Sequence, residues 1–205
     1  ADLEKPWLSL QKSIIDTLDV SLARVSFAGE LGWEIHAENE NIKLIYQKIL
    51  ELGAKPFGMF ALNSLRIEKG YKTWKGDLST DYSILESGLD RFLRLDKPHD
   101  FPGKAAILVE KQRGIKKKAV TLSLDLEEFD APYMSTLWKN NQIVGEVTSG
   151  AWGYRVNKSI ALAMVRSEFS NSGQQLEVDI FGKRVSAVVN DVPALWDPKN
   201  ERITA

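Results

Sequence analysis

The sequence predicts an α+β protein in two parts, a sheet with helices over residues 1–114 and a small antiparallel β-barrel over residues 115–205. Two observations support this prediction. Apolar residues recur at helical spacing in two segments of the first part, residues 39–53 and 59–69. After about residue 115 the pattern changes to alternating apolar and polar residues between turn residues, which is typical of antiparallel strands.

The first strands flank a glycine-rich turn. Residues 20–28 alternate between apolar and polar side chains and predict one strand, and residues 32–37 predict the next. The first twenty residues are mixed. Within them, residues 6–10 fit a short strand or a loop, and residues 12–16 fit a helical turn.

Helices and an aromatic loop follow. One helix is predicted from Asn39 to Gly53 and a second from Met59 to Lys69, since a glycine ends each apolar pattern. The apolar residues of the second helix are Phe60, Leu62, Leu65 and Ile67. The rest of the first part is predicted as an aromatic loop at 71–81, a turn or short helix at 83–88, a short buried segment at 89–95, and a helix at 104–112.

The second part contains only strand and turn patterns. Two hairpins are predicted, one turning at Asn140–Asn141 and the other at Gly182–Lys183. The predicted strand segments are residues 120–124, 137–145, 159–165 and 176–189. Strands of this length and spacing favour a small barrel.

Composition excludes several classes of function. The chain has 205 residues, no cysteine and a net charge of −1, so disulfides and a thiolate nucleophile are excluded and no strong field attracts nucleic acid or anionic membranes. With two histidines, His36 and His99, we expect no metal site. No apolar run approaches the ~20 residues of a membrane helix. We therefore expect a protein of the cytoplasm, or of the mitochondrial matrix in a eukaryote.

A carboxylate between two glycines is the main candidate for chemistry. Glu30 lies between Gly29 and Gly32 in the predicted strand–turn–strand. A carboxylate in such a turn can accept two N–H donors from a flat heterocycle with an amidine-like edge. The alternative is an ordinary hairpin turn with an exposed glutamate.

The segment Phe27–Glu34, Phe-Ala-Gly-Glu-Leu-Gly-Trp-Glu, resembles a signature of the glycine cleavage T-protein (aminomethyltransferase) family. Its variant is more similar to the folate-binding C-terminal region of dimethylglycine and sarcosine dehydrogenases. The resemblance implies that Glu30 grips the pterin ring of tetrahydrofolate. It also implies that the first part is a partial folate-binding domain and that the second is the C-terminal barrel of this family.

A second match covers Phe60–Gly70 and retains the Ser-Leu-Arg core of the family pattern. Leu62 and Asn63 stand where the family has Arg and Asp. The resemblance leaves Arg66 as the candidate folate-binding cation. The alternative for Arg66 and Glu68 is a solvated helix face, and Arg66 could also be a buried structural cation paired with a carboxylate.

The aromatic loop provides a third match, over Tyr71–Leu78. The resemblance implies that Tyr71 or Trp74 stacks on the folate rings, with Phe27 as a further folate-binding residue. The alternative is that these rings only pack the domain core.

The barrel sequence also resembles the family, and Thr148–Gly150 is expected to approach the site from that side. The following loop carries Trp152, Tyr154 and Arg155. These side chains could contact a polyglutamate tail, or they could cover the mouth of the barrel.

The resemblance implies tetrahydrofolate-dependent one-carbon transfer, in which the folate amine accepts an aminomethyl or methylene group. No aspartate matches the family's catalytic acid, so the catalytic residue is unknown, and we expect a fragment that lacks the N-terminal part of the folate domain. The resemblance implies the rest of a larger flavoenzyme or a lipoyl carrier protein as partners; no Gly-x-Gly-x-x-Gly motif is present. The alternatives are a folate-binding module without turnover and a structural segment of a flavin-dependent amine dehydrogenase.

Overall fold

The computed structural model describes residues 4–204. The N-terminal part contains β1 (Leu10–Ile15), β2 (Leu18–Ala23), β3 (Glu34–His36), α1 (Asn39–Glu51) and α2 (Met59–Glu68). A further helix, α3 (Lys104–Arg113), precedes the strands of the second part. These strands are β4 (Lys117–Leu124), β5 (Thr136–Lys139), β6 (Gln142–Gly153), β7 (Lys158–Arg166), β8 (Gln175–Ile180) and β9 (Lys183–Val189). The predicted α+β architecture is confirmed.

A three-stranded antiparallel sheet, in the order β1-β2-β3, packs on α1. Val20 and Leu22 of β2 point to the same face, because side chains two residues apart lie on one side of a strand. Both are buried against Ile45 of α1. This small core holds the loop between β2 and β3, residues 24–33, at the edge of the sheet.

Three local predictions are wrong. Residues 12–16 do not form a helical turn but belong mostly to β1, because the segment pairs with β2 in a tight hairpin. The strand predicted at 20–28 ends at Ala23, and the chain then turns into the 24–33 loop. The segment 89–95 is not buried, since Phe92 is 61% exposed.

The second part is a closed antiparallel barrel in the strand order β4-β7-β6-β5-β8-β9. Its interior is filled by aliphatic side chains of alternating strand positions, among them Leu122, Leu137, Val147, Val165 and Val178. The hairpin turn at Asn140–Asn141 is confirmed, and both residues have positive φ. The second hairpin turns one residue earlier than predicted, at Phe181–Gly182.

Helix α2 joins the two parts through its C-terminal half. Ile67 packs with Ile160 and Leu162 of the barrel, and the Ser64 hydroxyl donates a hydrogen bond to the Trp152 carbonyl at 2.6 Å. The N-terminal half of α2 instead faces outward, with Phe60 94% exposed. The end of α2 is therefore fixed against the barrel.

The N-terminal part and the barrel meet between α3, which ends at Arg113, and β4, which begins at Lys117. A division into domains at residues 114 and 115 stays a prediction.

Within residues 4–204, no helix has both the length and the apolar character needed to cross a membrane.

The close approach of Gly70 to the C-terminal segment can be tested by substitution. Gly53 and Gly70 each follow a helix with positive φ, so alanine costs roughly 1 kcal/mol at either position. A Cβ at Gly70 would lie 2.5 Å from the Pro193 carbonyl oxygen, whereas a Cβ at Gly53 meets no atom within 4 Å. We expect Gly70→Ala to lower the free energy of unfolding by about 1–3 kcal/mol more than Gly53→Ala, measured by urea denaturation. Equal losses in the two variants would contradict this packing.

Candidate functional site

The candidate site lies where four segments meet around Glu30. These segments are the 24–33 loop, the end of α2 with the following aromatic loop, the loop between β6 and β7, and the C-terminal segment from residue 193 onward. Each segment contributes charged or aromatic side chains. The site thus combines residues from both parts of the chain.

Both carboxylate oxygens of Glu30 accept hydrogen bonds. Oε1 accepts from Arg155 Nη1 at 2.6 Å and from Trp196 Nε1 at 2.9 Å. Oε2 accepts from Arg202 Nε at 2.9 Å. The Glu30 side chain remains 31% exposed, so it is neither an ordinary exposed turn residue nor a core residue.

This environment favours the ionised form of Glu30. Partial desolvation raises the pKa of the carboxyl. Hydrogen bonds from Arg202, Arg155 and Trp196 outweigh desolvation and hold the pKa below its usual value. Glu30 is therefore a carboxylate near neutral pH.

Arg155 connects Glu30 to the buried end of α2. Its backbone N–H donates to Glu68 at 2.7 Å, and its Nε also donates to the Glu68 carboxylate. Its Nη2 donates to the Leu65 carbonyl at 2.7 Å. Because Glu68 is fully buried, this pairing compensates a charge that would otherwise be costly. Arg155 thereby has a structural role at the rim of the barrel. The sequence left two alternatives open for this residue, contact with a polyglutamate tail and covering of the barrel mouth.

Arg66 is a second buried cation, and Asp77 is its counterion. Arg66 Nη1 and Asp77 Oδ2 are 3.0 Å apart, with side chains 5% and 1% exposed. Ser149 accepts from Arg66 Nη2 at 2.9 Å, and Thr148 and Ser149 donate to Asp77 Oδ1 at 2.6 and 2.8 Å. Burial lowers the pKa of the Arg66 guanidinium, and Asp77 opposes that shift. This geometry matches the alternative of a buried structural cation, and it brings Thr148 and Ser149 toward the site as expected.

Lys69 fixes the glycine-rich turn to the C-terminal segment. Its Nζ donates to Asp197 Oδ2 at 2.9 Å, and both side chains are nearly buried. Gly29 has positive φ, and a Cβ there would lie 2.9 Å from the Lys69 side chain. Glycine is therefore required next to Glu30 both by conformation and by close packing.

Aromatic side chains lie on the segments that meet around Glu30, and one of them, Trp196, contacts its carboxylate. Phe27 and Tyr71 stack with ring centroids 6.1 Å apart and an interplanar angle of 13°. Trp74 is 68% exposed, so it does not pack a core as one alternative proposed. Trp196 contacts the guanidinium groups of Arg155 and Arg202 at 4.9 and 5.3 Å from its ring centre.

The structure brings together most of the residues singled out from sequence. Glu30, Phe27, Tyr71 and Arg66 lie in adjoining segments, and Trp74, on the same loop as Tyr71, is mostly exposed. Sequence reasoning missed Trp196, Asp197 and Arg202, because the C-terminal segment has no helix or strand periodicity. It also missed the pairing of Asp77, although the Gly76–Asp77 turn within the aromatic loop was visible.

Two family models match this chain. The model described as the GCVT N-terminal domain matches residues 1–97, and the model described as the glycine cleavage T-protein C-terminal barrel domain matches residues 117–195. Together with the α+β part and the closed barrel, these matches define a protein of the T-protein class. The chain belongs to the glycine cleavage T-protein family, which confirms the resemblance.

Curated relatives fall into two groups. Dimethylglycine dehydrogenase, mitochondrial, from Rattus norvegicus is 37% identical over 92% of this chain and 23% of its own length. Sarcosine dehydrogenase, mitochondrial, from Mus musculus is 32% identical over 90% of this chain and 21% of its own length. Aminomethyltransferase from Thermosynechococcus vestitus is 36% identical over 87% of this chain and 48% of its own length. The chain thus spans about a quarter of the two dehydrogenases and about half of the aminomethyltransferase.

A solved structure has the same fold. The crystal structure of glycine cleavage system aminomethyltransferase T from Bartonella henselae superposes with a TM-score of 0.86 at 22% sequence identity. The superposition covers 95% of this chain and 54% of that one. The two chains therefore share the α+β part and the barrel.

The Arg66–Asp77 pair should contribute strongly to folding. Asp77→Asn leaves a buried guanidinium without its counterion, so we expect a loss of about 3 kcal/mol in the free energy of unfolding. The control is Asp96→Asn, which removes the counterion of Arg94 where both side chains are mostly exposed. Urea denaturation of both variants tests this expectation. Comparable stabilities of the two variants would show that the buried pair is not important.

The lowered pKa of Glu30 predicts a dependence of stability on pH. A carboxyl whose pKa is lower in the folded state stabilises that state above its unfolded pKa of about 4.5, and the contribution is lost as pH falls through the folded pKa. Glu30→Gln removes this contribution. The pKa of Asp197 is also lowered, but its contribution to stability is the same in the native protein and the variant, so it cancels in the difference between them. We expect the stability difference between native protein and variant to be largest near neutral pH and to shrink below about pH 4.5. A difference that stays constant down to about pH 3 would contradict the assignment.

Proposed function

We propose that this chain binds tetrahydrofolate and takes part in one-carbon transfer, as an aminomethyl or methylene group, in the catabolism of glycine or methylated glycines. One observation carries the proposal. Glu30 is an ionised carboxylate in the family's glycine-rich turn, and the stacked rings of Phe27 and Tyr71 lie on the two adjoining loops. A carboxylate beside aromatic faces suits a flat heterocycle that carries N–H donors on one edge.

The residues present fit a reduced folate in complementary ways. Glu30 would receive the amino edge of the pterin, while Phe27, Tyr71 and Trp74 offer ring faces. Arg66 forms hydrogen bonds with Asp77 and Ser149 and has a structural role in the site. We propose no direct contact between Arg66 and the folate. When bound, tetrahydrofolate supplies the amine that accepts the one-carbon unit. The chain's own contribution is to hold and orient that ligand.

A donor of the one-carbon group must come from outside this chain. We propose two sources: the remainder of a larger amine dehydrogenase, which the names of the dehydrogenase relatives favour, or a lipoyl carrier protein, which the family resemblance implies. The relatives whose names include "mitochondrial" support a mitochondrial compartment in a eukaryotic host, which we propose to be the matrix.

A second candidate function is a folate-binding or structural segment without turnover of its own, within a larger flavin-dependent amine dehydrogenase. The span of the match favours it, since the chain corresponds to 23% of the rat dimethylglycine dehydrogenase. In that case the same segment would bind folate but would depend on the remainder of the enzyme for chemistry.

Calorimetric titration with tetrahydrofolate tests the proposal. We expect the native chain to bind and Glu30→Ala to lose at least about 1.5 kcal/mol of binding free energy, the size of a hydrogen bond to a charged group. Trp74→Ala should lose roughly 1 kcal/mol if its exposed ring stacks on the ligand. Glu40→Ala is the matched control, because Glu40 is an exposed glutamate at the start of α1.

The outcomes separate the candidates. Binding that is weakened by Glu30→Ala and left unchanged by Glu40→Ala supports the folate site. Formation of 5,10-methylenetetrahydrofolate from an aminomethyl donor above the uncatalysed rate then supports transfer, and binding without product supports the second candidate. Equal affinity in the native chain and in Glu30→Ala would reject Glu30 as the pterin ligand.

A further inference from the structure

The geometry points to Arg202 as an internal competitor for the ligand position on Glu30. We propose that in the free protein its guanidinium is hydrogen-bonded to Oε2 of Glu30. It must then move away before a ligand can donate a hydrogen bond to that oxygen. This inference rests on the proposed folate function, because it concerns the same carboxylate. It adds a residue that sets the affinity of the site.

The two oxygens of Glu30 are held in different ways. Oε1 accepts hydrogen bonds from Arg155 and Trp196. Arg155 also donates three other hydrogen bonds within the protein, two to Glu68 and one to the Leu65 carbonyl. The Arg155 side chain is 15% exposed. Displacing Arg155 would leave Glu68 buried without its counterion, which is costly. Oε1 therefore keeps its hydrogen bond from Arg155 when a ligand binds.

Arg202 is held weakly by comparison. Its side chain makes one hydrogen bond, from Nε to Oε2 of Glu30 at 2.9 Å, and lies over the Trp196 ring at 5.3 Å. The Arg202 side chain is 59% exposed, so water can solvate the guanidinium when it leaves. An ion pair this exposed contributes little to stability. The Oε2 position is therefore the exchangeable one.

The chemistry of the occupant matches that of the proposed ligand. A guanidinium presents N–H groups in one plane to a carboxylate, and the 2-amino-4-oxopyrimidine edge of a pterin presents an amino group and a ring N–H in the same manner. Arg202 donates one N–H, from Nε to Oε2, and so blocks the oxygen to which an N–H of such a heterocycle would bind. Any fraction of the protein in which Arg202 is bound lowers the apparent affinity for the ligand.

Removing the competitor should tighten binding. We expect Arg202→Ala to bind tetrahydrofolate roughly two- to fivefold more tightly than the native chain, the range set by one exposed ion pair. Arg166→Ala is the matched control, because Arg166 forms an exposed ion pair with Glu168 at the opposite end of β7 from Arg155. The control should leave the affinity unchanged. Calorimetric titrations at one salt concentration, with thermal unfolding to confirm that each variant is folded, provide the comparison.

Each outcome is decisive. A tighter Arg202→Ala with an unchanged control supports the competitor. An unchanged or weaker Arg202→Ala overturns it while leaving the proposed function intact, and a weaker one makes Arg202 a ligand-binding residue instead. If neither the native chain nor Arg202→Ala binds tetrahydrofolate, both this inference and the proposed function fail.

Discussion

The end of α2 and the residue that follows it bury three charged side chains, and the rest of the site depends on how these charges are paired. Arg66, Glu68 and Lys69 are 4%, 0% and 3% exposed. A buried charge is tolerated only with a partner. The partners come from three separate segments: Asp77 from the aromatic loop, Arg155 from the loop between β6 and β7, and Asp197 from the C-terminal segment. Pairing these charges therefore brings together the segments that surround Glu30.

This arrangement explains how Glu30 is held in one orientation although it lies in a glycine-rich turn. The turn packs on the Lys69 side chain through Gly29, and Arg155 extends from buried Glu68 to Oε1 of Glu30. Replacing buried ion pairs by apolar residues is often neutral for stability, so these pairs are better understood as fixing geometry. The orientation of Glu30 is thus set by an ion-pair network, whereas the barrel core contains most of the buried apolar residues.

The sequence was sufficient to predict elements whose pattern is local. The helices α1, α2 and α3, the barrel, and the Asn140–Asn141 turn all follow from periodicity and turn chemistry. The prediction failed where tertiary contacts override the pattern. In α2, Phe60 was expected on the apolar face and is 94% exposed, while Glu68, for which a solvated face was one alternative, is fully buried. Periodicity cannot reveal that Arg155, 87 residues further along the chain, compensates Glu68.

Long sequence separations also bear on how the site forms. The donors to Glu30 lie 125, 166 and 172 residues further along the chain, at Arg155, Trp196 and Arg202. The carboxylate therefore acquires its orientation only when the α+β part, the barrel and the C-terminal segment are folded and packed together. A ligand that binds Glu30 in this orientation binds the assembled state and stabilises both parts at once. The function of such a carboxylate thus depends on the packing of the α+β part, the barrel and the C-terminal segment. The glycine-rich signature alone does not specify that function.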